Sequence, residues 1–384
     1  MSEALLRAAA ERQEEWVSLL GEIVDIDSGP GDHEGIGRVY DVLERELTPL
    51  GFTVDRLPTP GPDLLVARRP GGVDGARRLA LIGHADTVFP AGTAAERPFR
   101  REGERLRGPG VADMKGGLVV AIAGLALAGK DVLDQLDLTV IVNGDEESGS
   151  AESRETIERL APDFDVALVF EPGRPSDGFV VSRRGAHRFD VAVTGRPAHT
   201  GVNPHEGANA IETAAHHVLA IQELGRQTPD ATVTAVLVSG GSRPNIVPEH
   251  ARIRVDSRFD HDEAEAAVVA GIRALAGPGP VPGTTTAVTS LDRRPAFQAR
   301  PEARFLADLV LSVGAELGMD LSGEPTGGSS DGNFTSAAGV PTIDGLGAVG
   351  HDYHTPDEYV LAASVSRRAA LLGSLLAKLA IGRS

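Results

Sequence analysis

Residues 79–87 read LALIGHADT, an apolar run that stops at His84 and is followed two positions later by Asp86. Such a run is typical of a buried β-strand, and its polar end indicates a site beyond the strand's carboxyl end. Side chains two positions apart on an extended chain point to the same side. The Asp86 carboxylate can therefore hold one ring nitrogen of His84 while the other nitrogen binds a metal. A single H-x-D pattern also fits a solvated strand end, so the rest of the chain has to decide.

The composition excludes several classes of protein and of site. The chain has 384 residues, enough for two domains, and a net charge of −18, which argues against a nucleic-acid or anionic-membrane partner. It has no cysteine, so disulfides, thiolate zinc sites and a cysteine nucleophile are excluded. Any metal must be bound by His, Asp or Glu. We find no secretory signal and no apolar run of about 18 residues, and we therefore expect a cytoplasmic protein without a membrane span.

Two further predicted strands end in the same way as the first. The apolar run 136–142 leads into Glu146 and Glu147, and the run 166–170 leads into Glu171. Helical patterns separate these strands, which predicts an α/β fold with a mostly parallel mixed sheet flanked by helices. In such a sheet the carboxyl ends of the strands meet along one edge, where ligands bind. The polar residues that follow the strands are thus expected to lie close together.

The pattern of the chain changes after residue 182. Between residues 185 and 296 the sequence predicts four strands and two helices, enough to bury a separate core. We therefore predict a catalytic domain formed by residues 1–184 and 297–384, with an α+β domain inserted at residues 185–296.

Five motifs, taken in order, resemble those of the M20 family of co-catalytic zinc peptidases and amidohydrolases. They are H-x-D at His84, G-x-x-D-M-K-G-G around Asp113, D-E-E-x-G-S around Glu146 and Glu147, a single Glu171 after a strand, and H-T-P-D-E from His354. The resemblance runs along nearly the whole chain. Residues 327–334, GGSSDGNF, are most similar to the glutamate carboxypeptidase-like members. The resemblance implies a zinc-peptidase fold whose inserted domain serves as lid and dimerisation domain.

The resemblance also implies two Zn²⁺ ions per chain, for which Co²⁺ or Mn²⁺ are possible substitutes. Asp113 would bridge the ions, His84 and Glu171 would complete one site, and His354 and Glu147 would complete the other. Each ion then has three protein ligands, as catalytic zinc ions usually do.

Two details of this ligand set are specific to the sequence. His351 lies three residues before His354 and is close enough to replace it, but we choose His354 because Glu358 follows it, as in the family. We interpret His351 as lining the pocket. Family members have a cis peptide after the aspartate, so Asp113–Met114 is a candidate for one.

Five more residues are assigned roles, all but that of Asp86 from the resemblance. A simpler interpretation as a surface residue applies to Glu146, Asp86, His199 and Arg258. Glu146 would be the general base, Asp86 would orient His84, His199 would stabilise the oxyanion in its own or a partner's site, and Asn245 and Arg258 would bind the substrate carboxylate. Arginine suits that task because its planar guanidinium binds a carboxylate through two hydrogen bonds.

We therefore expect a dinuclear zinc hydrolase that cleaves an amide bond beside a free carboxylate and releases a C-terminal amino acid. Its substrate would be a small peptide or N-acyl amino acid, and it would form a homodimer through the inserted domain. One alternative is an N-acyl amino acid deacylase of the acetylornithine deacetylase or succinyl-diaminopimelate desuccinylase type, which shares every metal ligand. A remote alternative is a metal-free binding protein with the same fold.

Overall fold

The computed structural model describes residues 2–381, which form two compact units. The inserted unit comprises Arg183–Gln298 together with Gly327–Ser329, and the large unit comprises the other described residues. The predicted domains placed Gly327–Ser329 in the catalytic domain. The structure differs because these residues bond to the start of the inserted unit: Ser329 Oγ donates to the carbonyl oxygen of Arg184 over 2.8 Å.

The strands, in chain order, are β1 (Thr53–Leu57), β2 (Leu64–Arg69), β3 (Arg77–His84), β4 (Arg100–Glu102), β5 (Arg105–Arg107), β6 (Leu136–Asn143), β7 (Val166–Val169), β8 (Phe179–Arg183), β9 (Gly185–Thr194), β10 (Ala231–Gly240), β11 (His250–Phe259), β12 (Gly277–Pro278), β13 (Thr285–Arg294), β14 (Gly323–Thr326), β15 (Thr342–Ile343), β16 (Gly350–His351) and β17 (Tyr359–Leu361). The helices are α1 (Ser2–Glu11), α2 (Gln13–Val24), α3 (His33–Leu47), α4 (Thr93–Glu96), α5 (Gly116–Ala128), α6 (Lys130–Leu133), α7 (Arg154–Leu160), α8 (Ala210–Gln227), α9 (Asp262–Arg273), α10 (Arg304–Glu316), α11 (Gly332–Ala337) and α12 (Ala362–Ile381).

The large unit is built on a six-stranded sheet of order β1-β2-β6-β3-β7-β15. Strands β6, β3, β7 and β15 run parallel to one another, whereas β1 and β2 add antiparallel pairs. This confirms the predicted fold class. The chain passes from β3 to β6 on one side and then crosses to β7 on the other, so β3 lies at the switch point where a crevice opens beyond the strands' carboxyl ends.

Helix α5 is apolar on all sides because it is a core helix of the large unit. Ten of its residues, Gly116 to Leu125, are buried. Among the described helices, the stretch Val111–Ala128 alone is long and apolar enough to cross a membrane by length and composition, but 78% of it is buried inside the protein. Burial within the fold accounts for its composition.

The inserted unit has an antiparallel sheet of order β10-β11-β9-β13-β12. One face of this sheet is apolar, with Phe189, Val191, Ile253 and Val255 buried against helices α8 and α9. Strand β10 forms one edge, and its residues Val236, Leu237 and Val238 are exposed. The unit thus leaves an apolar strand edge open to solvent.

Candidate metal centre

Three parallel strands deliver acidic and imidazole side chains to the same edge of the large sheet. His84 is the last residue of β3, Glu146 and Glu147 lie in a short 3₁₀ turn that follows β6, and Glu171 follows β7 by two residues. Because these strands are parallel neighbours, their carboxyl ends lie side by side. The topology therefore brings together residues that are as many as 87 positions apart.

Asp113 lies between the two histidines of the site. It belongs to the turn Val111–Lys115 that precedes α5, and its Oδ1 lies 3.2 Å from Nε2 of His84. Its other oxygen, Oδ2, lies 3.2 Å from Nε2 of His354. One carboxylate thus presents a different oxygen to each imidazole, as a bridging ligand does. The peptide Asp113–Met114 is cis, in agreement with the expectation drawn from the resemblance.

The remaining predicted ligands complete two neighbouring groups. Glu147 Oε2 lies 3.1 Å from Nε2 of His354, and Glu171 Oε1 lies 3.8 Å from Nε2 of His84. Ligand atoms of His84, Asp113 and Glu147 all lie within 4.8 Å of one another, and so do those of His84, Glu146 and Glu171. The structure therefore brings all five predicted ligands together and places Glu146 beside them.

Asp86 holds two parts of the site in place. Nδ1 of His84 lies 3.0 Å from the backbone carbonyl oxygen of Asp86 and 3.3 Å from its Oδ1, so Asp86 can orient that imidazole through its backbone as well as its carboxylate. The same carboxylate accepts hydrogen bonds from the backbone N–H groups of Glu146, over 3.2 Å, and Glu147, over 2.9 Å. The second function fixes the turn that carries both glutamates, and the sequence analysis missed it.

Glu358 is a second positioning residue, a role that the sequence analysis did not predict when it used Glu358 to choose His354. Its buried carboxylate accepts hydrogen bonds from the backbone N–H groups of Gly110, Ala112 and Asp113, over 3.1, 2.8 and 2.9 Å. These bonds hold the turn that carries the bridging aspartate. Burial raises the pKa of the Glu358 carboxyl to about 7, although the three donors oppose that rise. The available signal was an acidic residue directly before strand β17.

The structure presents the two candidate histidines differently: His351 is the last residue of β16, and His354 lies in the loop between β16 and β17. His354 adopts a left-handed backbone conformation, with φ of 62°, and its ring reaches Asp113. His351 is exposed, and its Nδ1 lies 2.7 Å from the Asp352 carboxylate. The geometry therefore favours His354 as the ligand, because its Nε2 lies 3.2 Å from Asp113 and 3.1 Å from Glu147.

The residues of the centre fit a pair of divalent cations. Burial lowers the pKa of His84, but the Asp113 and Asp86 carboxylates outweigh it and hold that pKa well above its usual range. Hydrogen bonds to Asp113 and Glu147 raise the pKa of His354 to about 10. Glu147 Oε1 is buried without a hydrogen-bond partner among the described residues. Negative charge thus exceeds the positive charge that the site itself supplies, and the donors are those that zinc uses.

The predicted substrate-binding residues lie in the inserted unit. The N–H of Thr200 donates to the carbonyl oxygen of Asn245 over 3.1 Å, so the loops that carry His199 and Asn245 are neighbours. His199 is exposed, and its Nδ1 accepts a hydrogen bond from the N–H of Gly201 over 3.1 Å. In the neutral ring Nε2 then carries the hydrogen, which leaves it able to donate to an oxyanion.

Arg258 is less available than the sequence predicts. It lies on β11, and its Nε and Nη2 already bind the Asp256 carboxylate over 3.0 and 3.2 Å. A substrate carboxylate would have to share the guanidinium with Asp256 or displace it. The spacing of two residues on one strand, which places both side chains on one face, was the signal for this pair.

Comparison with known proteins gives the family. Residues 80–378 match the profile of peptidase family M20/M25/M40. The chain belongs to this family. Carboxypeptidase G2 from Pseudomonas sp. (strain RS-16) is 33% identical over 386 residues, which cover 99% of this chain and 92% of that protein. A succinyl-diaminopimelate desuccinylase from Novosphingobium aromaticivorans is 31% identical and covers 84% of this chain and 88% of its own.

Solved structures share the fold of this M20 protein. Aminopeptidase PepT from Bacillus cereus superposes with a TM-score of 0.76 at 22% identity, covering 96% of this chain and 99% of its own. The M20 metallo-carboxypeptidase Sso-CP2 from Sulfolobus solfataricus gives 0.74 at 16% identity, covering 96% and 99%. These likenesses confirm the fold, and family membership makes the chain a metal-dependent hydrolase, as the five motifs predicted.

Proposed function

We propose that this M20 hydrolase uses two zinc ions to cleave an amide bond beside a free carboxylate and to release a C-terminal amino acid. The observation that carries the proposal is the position of Asp113, whose two carboxylate oxygens each lie 3.2 Å from a different histidine. Likeness to carboxypeptidase G2 along 99% of the chain supports the choice of a carboxypeptidase.

Five side chains would hold the ions. His84, Asp113 and Glu171 would bind one, and His354, Asp113 and Glu147 the other, with Co²⁺ or Mn²⁺ as possible substitutes. A bound pair of zinc ions supplies Lewis acidity and lowers the pKa of a water molecule towards 7.

Glu146 is the residue we assign to proton transfer. It lies beside His84 and Glu171, and its backbone N–H is fixed by Asp86, so the carboxylate is held at the edge of the ligand cluster. From there it takes a proton from the attacking water and passes it to the leaving amine. Glu147, next in the chain, faces His354 instead and remains a ligand.

The inserted unit would supply the contacts to the rest of the substrate. The Nε2–H of His199 is free of the Gly201 contact and would donate to the oxyanion that forms at the scissile carbonyl. Asn245 and Arg258 would bind the substrate carboxylate. A homodimer through this unit is part of the proposal, supported by the exposed apolar edge of β10.

A deacylase acting on N-acyl amino acids is the second candidate, favoured by the 31% identity to succinyl-diaminopimelate desuccinylase. Both candidates use the same ligands and base, so the difference lies in the pocket. Substrate tests rather than metal tests must therefore separate them.

The test combines metal analysis with a panel of substrates. The protein is loaded with Zn²⁺, freed of excess metal and assayed on dipeptides and N-acyl amino acids that differ in the C-terminal residue, with matched C-terminal carboxamides as controls. We expect two zinc ions per chain and at least about 10²-fold slower cleavage of the carboxamides, because they lack the charged group. A preference for N-succinyl substrates would favour the deacylase. A chain that binds no metal and cleaves nothing would overturn both in favour of a binding protein.

A further inference from the structure

A second cluster of nucleophilic and titratable side chains lies wholly within the inserted unit. Ser290 on β13 has its Oγ 2.6 Å from Nε2 of His187 on β9. Nδ1 of the same ring lies 3.1 Å from Oε1 of Glu265 in the first turn of α9. His187 and Glu265 are 5% and 6% exposed, whereas Ser290 is exposed. An accessible hydroxyl is thus joined to a buried imidazole and a buried carboxylate.

The hydrogen-bond partners determine which ring nitrogen carries the hydrogen. Arg293 binds the Glu265 carboxylate through Nε and Nη2, over 2.5 and 2.7 Å. Burial would raise the pKa of Glu265, but these bonds and His187 lower it to about 2, so the carboxylate is ionised and only accepts. Nδ1 of His187 must therefore donate to it. In the neutral ring Nε2 is then the acceptor for the Ser290 hydroxyl hydrogen.

The surroundings hold the ring in this orientation. His187 stacks on Phe189, with ring centroids 4.2 Å apart and an angle of 22° between the planes. The β13–β9 register pairs Ser290 with Phe189 and then Arg293 with His187, so β13 has one extra residue between these pairs. Bulges of this kind redirect side chains and occur often beside functional sites.

We propose that Ser290, His187 and Glu265 form a second nucleophilic site, one that needs no metal and accepts acyl groups from small activated esters. Serine hydrolases with unrelated folds have the same hydrogen-bonded arrangement, in which a histidine joins a serine nucleophile to an orienting carboxylate. The Ser290 oxygen forms a bond to the acyl carbon while its proton passes to Nε2 of His187. The ester's alcohol leaves with that proton, and a water molecule then releases the acid by the same route and restores the serine.

The test is covalent labelling of the metal-loaded, full-length protein with a fluorophosphonate. The serine oxygen forms a bond to phosphorus, fluoride leaves, and His187 takes the proton. Peptide mass spectrometry then locates the modified residue, so reaction at the metal centre cannot be mistaken for reaction here. We expect labelling at Ser290 to be about 10²-fold faster than at Ser239, an exposed serine on β10 of the same unit.

Variants separate a reactive serine from a structural hydrogen bond. Ser290→Ala should abolish the label, Ser239→Ala should leave it unchanged, and His187→Gln should slow it at least about tenfold. Glu265→Gln should give a smaller decrease because the amide oxygen still accepts from Nδ1. Circular dichroism establishes that each variant is folded. Labelling of Ser290 no faster than that of Ser239, or equally fast in folded His187→Gln, would overturn the proposal.

Discussion

The two polar clusters of the molecule differ in how their charge is balanced. In the large unit, the carboxylates of Asp113, Glu147 and Glu171 converge on the two imidazoles of His84 and His354. In the inserted unit, the buried Glu265 is matched by Arg293 and His187. The first cluster has more carboxylates than imidazoles, whereas in the second a guanidinium and an imidazole face one carboxylate.

This difference indicates what each cluster is built for. A buried charge is tolerated when it is paired or coordinates a metal. A cluster with more carboxylates than imidazoles is therefore expected to bind metal, and substitutions in it are expected to affect turnover. A carboxylate paired with a guanidinium and an imidazole, as Glu265 is, is expected instead to stabilise the fold or to orient its neighbour.

The largest expected effect tests whether Glu146 acts as the general base rather than as a metal ligand in the first cluster. Glu146→Gln removes the group that moves protons, and we expect turnover to fall about 10²- to 10⁴-fold. Zinc content should stay at two ions per chain because Glu147, not Glu146, faces His354. Metal analysis and turnover number check this, with exposed Glu152→Gln as the control. Loss of an ion from Glu146→Gln would instead make Glu146 a ligand.

The next effect tests the positioning role of Asp86. Asp86→Asn keeps the size of the side chain but replaces one of the two carboxylate oxygens by an NH₂ group, which donates. The side chain then no longer has one acceptor oxygen for each of the N–H groups of Glu146 and Glu147. We expect zinc affinity or turnover to fall about 10- to 100-fold, the usual cost of losing a partner of a metal-binding histidine. Competition with a chelator measures the affinity. Unchanged affinity and turnover would show that the backbone alone fixes the turn.

A smaller effect is expected at Glu358, which is buried and bonded to the backbone of the turn that carries Asp113. Glu358→Gln places an amide nitrogen where one carboxylate oxygen now accepts, so at least one buried N–H among Gly110, Ala112 and Asp113 loses its acceptor. The free energy of unfolding should fall by about 2 kcal/mol, with weaker zinc binding. Thermal unfolding checks this, with exposed Asp357→Asn as the control. If both variants unfold alike, the three hydrogen bonds are dispensable.

Features of the site that depend on local pattern could be predicted from the sequence. Hydrophobic periodicity predicted that His84, the pair Glu146 and Glu147, and Glu171 follow the carboxyl ends of neighbouring strands. The choice of Glu147 over Glu146 as a ligand came from the resemblance. The resemblance carried by the ordered motifs added Asp113 and His354 to the predicted ligands. The alternation of strands and helices likewise predicted a mostly parallel sheet, because the connection between two parallel strands usually contains a helix.

Contacts between distant segments could not be predicted in this way. Asp86 lies 60 positions from Glu146, and Glu358 lies 245 positions from Asp113, so no local spacing relates their side chains to those backbone N–H groups. The Gly327–Ser329 segment joins the inserted unit through single hydrogen bonds that leave no trace in its composition. Which N–H a carboxylate accepts is decided by the packed fold.

The smallest effect tests whether the second cluster is balanced by its own residues. The pKa of Glu265 is about 2 in the folded chain, below its ordinary 4.5, because Arg293 and His187 outweigh the burial that would raise it. A lowered pKa means that the pair stabilises the fold above pH 4.5 and that this stabilisation is lost as the pH falls towards 2. Because Arg293 is partly exposed, we expect Glu265→Gln to lower the free energy of unfolding by only about 1–2 kcal/mol at pH 6. The difference from wild type should shrink by pH 3, measured by urea unfolding at each pH and by hydrogen exchange of residues 185–298.

Glu263→Gln, on the exposed side of the same helix, should show little change at either pH. A difference between Glu265→Gln and wild type that is the same at both values would mean that the charge of Glu265 does not stabilise the cluster, and the contrast with the metal centre would then lose its electrostatic basis.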